Sequence, residues 1–202
     1  MHRPNEGQVI PTASKDNEMI YRFQPFATDK KDFGKVYNAH CRLVPNDEDW
    51  IQITDYDAMI LHHSVYPVID AAIARYPNTA IFGARCNRIA LNWQRTTFDM
   101  DEETDSVEYH TKKAIELAEC YSDGQCKDVA YVAGFFLLFR KSYWKLSPFQ
   151  ETIYDRKHVL FDYNFCQYAR KTKMPIRVIM GVYCWHSYRL AQENRFSTAH
   201  LL

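Results

Sequence analysis

The chain has 202 residues, 47% apolar and 25% charged, which suits one globular domain with a sizeable core. Lys plus Arg and Asp plus Glu stand at 25 each, so no net field directs it to nucleic acid or an acidic membrane surface. No run approaches the roughly 20 apolar residues of a membrane span. The opening MHRPNEGQVIPTASKDNE lacks the apolar centre of a secretory signal, so a cytoplasmic protein without an integral membrane segment is expected.

Residues 1–18 are polar and aperiodic and read as a flexible arm ahead of a single domain, 19–202. MIYRFQPF (19–26) predicts a first strand ending at Pro25. Thr28 or Asp29 is placed to cap a helix whose stripe is Val36, His40, Leu43 and Val44. DWIQITD (49–55) is the second strand, and Ser64 is placed to cap a helix burying Val65, Ile69, Ala72, Ile73 and Tyr76. TAIFGARC (79–86) is a third strand, followed by an acidic, mobile-looking loop over 95–106. The next helix turns Val107, Ala114, Leu117, Ala118 and Tyr121 inward. VAYVAGFFLLFR (129–140) predicts a central strand interrupted at Gly134; FDYNFCQYARKTK is a helix, and IRVIMGVYCWHSYR supplies one or two final strands.

Strand and helix alternate without repeat or linker, which predicts an α/β fold: a three-layer α/β/α sandwich with a mostly parallel central sheet. The six cysteines (41, 86, 120, 126, 166 and 184) form no Cys-x-x-Cys and read as reduced, mostly buried thiols. Only Cys120 and Cys126 are spaced to meet across a turn.

Asp55 and Asp57 end the apolar run of the second strand. Residues i and i+2 of an extended chain share a face, so two like charges point the same way. In α/β sheets, ligands bind outside the carboxyl ends of strands. A solvated Asx turn is the plain reading; the chemical one is a hard divalent cation held by paired carboxylates.

Four segments, in order, resemble a compact GT-A-type glycosyltransferase, similar to the family 2 inverting enzymes that use nucleotide-sugar donors. PFATDKKDFGKVYN resembles the end of the family's first strand and the following helix, DWIQITDYDAMI its Asp-x-Asp strand, and LFDYNFCQYARK the start of its catalytic helix. VAGFFLLFRKSYWKLSPFQE, with Gly134, Arg140, Trp144, Phe149 and Glu151, resembles its acceptor-side stretch. The usual Glu-Asp of the catalytic helix is Phe161-Asp162 here, and a later Asp is Asn164.

The resemblance implies the GT-A (nucleotide-diphospho-sugar transferase) fold and roles for individual residues. Asp162 is the expected general base, against a plain helix cap. Asp55, Asp57 and His186 are the expected ligands of Mn²⁺ or Mg²⁺, the imidazole tilting preference towards Mn²⁺. Pro25, Lys35, Asn38, Asp55, Arg88 and Arg189 are candidates for the nucleotide and donor, with Asn87 beside Arg88; Gly134 and Trp93 are candidates for the acceptor side. Trp93 reads equally as an anchor for the loop after it. His62 and His63 fall on opposite faces of an extended segment and read as surface or capping residues.

The expected partners are a nucleoside-diphosphate-sugar, UDP-sugars first, and an acceptor hydroxyl on a glycan, a lipid-linked sugar, a protein or a modified DNA base. Two other readings stay open. A nucleotidyltransferase calls for a Gly-rich basic loop after the first strand, where PFATDKKDFGK has one Gly. A non-catalytic nucleotide-sugar-binding module fits the missing second carboxylate beside Asp162.

Overall fold

A computed structural model describes residues 18–27, 32–96, 104–151 and 161–187. The strands are β1 (Ile20–Phe23), β2 (Trp50–Thr54), β3 (Ala58–Met59), β4 (Ile81–Cys86), β5 (Cys126–Asp128), β6 (Phe136–Arg140) and β7 (Ile176–His186). The helices are α1 (Phe33–Leu43), α2 (Val65–Arg75), α3 (Val107–Cys120), α4 (Lys141–Leu146) and α5 (Phe161–Lys171).

One seven-stranded sheet runs in the order β1-β2-β6-β4-β7-β3, with β5 also on β7. Helices cover both faces. Tyr37 of α1 and Phe165 of α5 pack on Ile51, Ile53 and Phe139, while Val68 and Ile69 of α2 and Ala118 of α3 pack on Trp50, Phe82 and Leu138. β2 is buried along its whole length. Among the described residues no helix is long and apolar enough to cross a membrane, and all six cysteines are free, Cys120 being exposed and Cys126 half-buried.

The α/β expectation holds, but the sheet is mixed rather than mostly parallel. β1–β2 and β4–β7 pair in parallel; β2–β6, β4–β6, β3–β7 and β5–β7 are antiparallel. The cause is β6, which inserts between β2 and β4 against their direction. β1, β2, β4 and β7 themselves all point one way. The carboxyl ends of β2, β4 and β7 and the entry to β6 therefore share one edge of the sheet.

Local differences have local causes. The predicted central strand over 129–140 is regular only from Phe136, because the Gly134 N–H bonds a side chain instead of a neighbouring strand. The predicted stripe of α1 is out of phase. Gly34, Tyr37, Asn38 and Cys41 face inward and Leu43 is exposed, since α1 docks on the backbone of Gln150 so closely that a Cβ on Gly34 would collide with its carbonyl. The predicted caps Thr28 and Asp29 lie outside the described residues. Ser64 does stand before α2, without a side-chain capping bond.

Candidate functional site

The end of β2, its turn and the last residue of β7 meet at this edge. The Asp55 N–H donates to the Phe135 carbonyl at 3.0 Å, and the turn closes with Ala58 N–H to the Asp55 carbonyl at 3.1 Å. That turn leads into β3, whose Ala58 pairs with His186. The Ser187 N–H then donates to the Asp57 carbonyl at 2.8 Å, and its hydroxyl to the same oxygen at 2.9 Å. So the backbone itself brings His186 to the acid pair. One ligand atom from each of Asp55, Asp57 and His186 lies within 4.8 Å of the others.

His186 is held in one orientation. Its N–H takes Asn87 Oδ1 at 2.7 Å, its ring stacks on Phe135 at 5.3 Å, and its Nδ1 lies 2.9 Å from the Arg88 carbonyl. A carbonyl only accepts, so Nδ1 carries the proton. In the neutral ring Nε2 then turns a lone pair towards Asp57 Oδ1, 3.4 Å away. Two acceptors facing each other repel unless a proton or a cation lies between them. Two carboxylates and an imidazole nitrogen so placed fit a divalent ion, with Mn²⁺ suited to the mixed oxygen and nitrogen donors.

The Asp55 carboxyl is shifted strongly by its surroundings. Burial pushes its carboxyl up to about 7; the Tyr37 hydroxyl, which donates to Oδ1, and His186 pull it down, while Asp57 and Asp162 push it up again. Burial and the same carboxylates raise the Tyr37 hydroxyl far above its ordinary value, so it stays a donor.

Asp162 enters the cleft from the first turn of α5. Its Oδ2 accepts from Gly134 N–H at 2.9 Å and its Oδ1 from Tyr163 N–H at 2.7 Å. Burial raises its carboxyl above the usual range, and these bonds oppose the shift. Gly134 must lack a side chain, because a Cβ there would meet the Phe161 ring at 2.7 Å. Phe161 packs edge-on to Tyr37 at 5.2 Å. Asp55, Asp57, Asp162 and His186 line one cavity of about 290 Å³ with Phe33 and Gly134. Tyr56, between the two acids, is half exposed and meets Phe26 edge-on at 5.4 Å.

The other candidates are placed elsewhere or engaged. Pro25 is buried just after β1, and the neighbouring Gln24 clamps the turn after β2 by donating to the carbonyls of Asp55 and Ala58. Arg88 is buried and pairs with Asp105 at 2.5 Å, and it touches the site through its carbonyl. Asn38 donates to the Phe149 carbonyl and Glu151 and accepts from Trp144 Nε1 and the Phe149 N–H. Those four bonds fill its capacity. Lys35 is exposed on α1 and does not line the cleft. Trp93 donates to the Tyr131 carbonyl at 3.0 Å and packs edge-on to its ring, which makes it an anchor. Glu151 is held below its usual range by Asn38 and then Arg42, away from the cleft. Arg140 stacks on Trp50 and pairs with Glu18 at the opposite end of β6. Arg189 lies outside the described residues.

His62 and His63 correct a detail: their rings are 4.3 Å apart rather than on opposite faces. The segment is a turn, in which the Ser64 N–H donates to His62 Nδ1 at 3.2 Å. Tyr37 and Gln24, which brace Asp55 and its turn, were not singled out from sequence. Only the place of Tyr37, beside Asn38 in KVYN, hinted at the first.

No protein-family model matches the chain, and no curated protein matches its sequence.

Proposed function

We propose that the protein is a metal-dependent inverting glycosyltransferase, hexosyltransferase-like, that moves a sugar from a nucleoside-diphosphate donor to an acceptor hydroxyl. The observation that carries this reading is the cluster of Asp55, Asp57 and His186 facing Asp162 across a single cleft. Asp55, Asp57 and His186 would hold Mn²⁺ or Mg²⁺, which when bound neutralises charge on a departing diphosphate. His186 is kept in its binding tautomer by the Arg88 carbonyl. Asp162 takes the proton of the acceptor hydroxyl; burial raises its affinity for that proton, and the Gly134 N–H aims one of its oxygens.

UDP-sugars are the first donors to try. The test is thermal stabilisation by UDP-, GDP- and dTDP-sugars with and without Mn²⁺, followed by a transfer assay on any donor that binds. Mn²⁺-dependent stabilisation and turnover are expected. Donor binding that ignores Mn²⁺ would count against the reading. A binding module of the same fold is the second reading, because both Asp162 oxygens accept backbone N–H bonds, as a structural helix-start carboxylate does. Mn²⁺-dependent donor binding with no turnover on any acceptor would favour it.

A further inference from the structure

A second cavity, of about 430 Å³, opens beside the cleft. The turn after β2 divides the two: Asp55, Tyr56 and Asp57 line the cleft, and Ala58 and Met59 line the cavity. Its chemistry begins with an anomaly in the sequence. WIQIT is buried throughout, yet it carries Gln52 where an aliphatic residue would pack without needing a hydrogen bond. Gln52 and Thr54 are i and i+2 on one face, and both line the cavity. Gln52 Nε2 donates to Thr54 Oγ1 at 3.3 Å, while Oε1 has no partner among the described residues. An unpaired buried acceptor is costly, and native proteins seldom leave one without a use. Oε1 is closed to solvent in this conformation, and a rotation about the last torsion of the carboxamide, which is held by one long bond, would turn it to the cavity.

At the mouth stands Arg22. Its guanidinium lies 4.5 Å over the Tyr66 ring and has no carboxylate partner among the described residues. Of the rings in the lining, Tyr66 carries that cation on one face and Phe23 meets His40 edge-on at 5.3 Å. An amide, a hydroxyl and a guanidinium around an aliphatic wall of Ile60 and Leu61 match the hydroxyls and the ring of a sugar.

We infer that this cavity binds a saccharide ring bearing a negative charge, its hydroxyls meeting Gln52 and Thr54 and its carboxylate or phosphate meeting Arg22. The inference stands on the groups of the cavity and not on the transferase reading. Methyl NMR of the intact chain, following Ala58, Ile60 and Leu61, tests it by titration with glucuronate, glucose 6-phosphate, glucose and inorganic phosphate. Saturable shifts with a charged sugar are expected, and whichever of the two binds tighter identifies the substituent. Glucose should bind roughly tenfold or more weakly, as a charge-assisted bond is lost. Arg22→Ala should erase that preference. Gln52→Leu should raise the melting temperature and weaken every sugar; should it fail to fold, Thr54→Val reports the same loss. Any Mn²⁺-induced stabilisation seen in the wild-type chain should be unchanged in Arg22→Ala. No shift with either charged sugar, equal binding of glucose, shifts with phosphate alone as strong as with the sugar phosphate, or undiminished binding by Gln52→Leu would each overturn the inference.

Discussion

Two polar clusters are built from α1 and the elements it touches, and they differ in how much bonding capacity the protein leaves open. Around Asn38, every donor and acceptor of the carboxamide meets Trp144, Phe149 or Glu151. Around Asp55, reached by Tyr37, the residue next to Asn38 on α1, ligand atoms of two carboxylates and an imidazole crowd within 4.8 Å, and burial holds one carboxyl up at about 7. The first closes the fold on itself, tying α1 to the chain after α4. The second sets two carboxylates and an imidazole where one cation could reach all three. A polar motif residue thus serves a ligand to the extent that its neighbours leave it unsatisfied.

The largest expected effect belongs to Asp162, which shares features of both clusters. Asp162→Asn keeps the shape and one of the two backbone bonds, since its amide has a single acceptor oxygen, and it removes the proton acceptor, so transfer at saturating donor should fall about 10²–10⁴-fold. Metal and donor binding should stay near wild type. A near-normal rate would move Asp162 to the structural side of the comparison.

Asn38→Ala comes next and should act in the opposite way. It leaves the buried Trp144 Nε1 and the Phe149 N–H without their acceptor, which should cost about 3–5 kcal/mol in urea unfolding. Mn²⁺ affinity of the folded fraction should not change. Intact stability with lost nucleotide binding would return Asn38 to the ligand side.

The pH dependence separates the clusters without mutation. The Asp55 carboxyl is raised from 3.8 to about 7 in the fold, burial being the main cause. Between those values the native state keeps a proton that the unfolded chain has lost, so the metal-free protein loses stability as pH rises and levels off above about 7. On the proposed reading Mn²⁺ takes the place of that proton, so the stabilisation it gives should grow over the same window. Melting curves from pH 5 to 8, with and without Mn²⁺, check both signs; a Mn²⁺ effect that ignores pH would contradict the assignment. Tyr37→Phe sharpens this result, since loss of a donor to Asp55 raises that carboxyl further. Mn²⁺ affinity should drop more at pH 6 than at pH 8, by about tenfold. The smallest effect expected is that of Trp93→Phe: about 1 kcal/mol of stability from one lost hydrogen bond, with kinetics unaltered.

The sequence makes the open cluster more legible than the closed one. The spacing of Asp55 and Asp57 at the end of an apolar strand marks the pair, though a turn closed by Ala58 N–H on the Asp55 carbonyl, not extended alternation, brings them together; His186 stands out as a polar residue at the end of an apolar strand. Asn38 misleads because α1 turns it inward with Gly34, so the apolar stripe no longer marks the buried face and Leu43 is left outside. The reversed β6 is invisible because a strand's direction depends on distant pairing, and no local pattern records it. Tyr37 and Gln24 act on Asp55 and its turn across long stretches of chain, a coupling that residue spacing does not encode.

Direct binding of Mn²⁺ tests the central claim most plainly. Electron paramagnetic resonance of free Mn²⁺ during titration of the metal-free protein at pH 8 should show one ion bound per chain. Asp57→Ala should weaken it by roughly tenfold or more, and His186→Ala should also lower the preference for Mn²⁺ over Mg²⁺. Unchanged Mn²⁺ affinity in a folded Asp57→Ala variant would contradict the account.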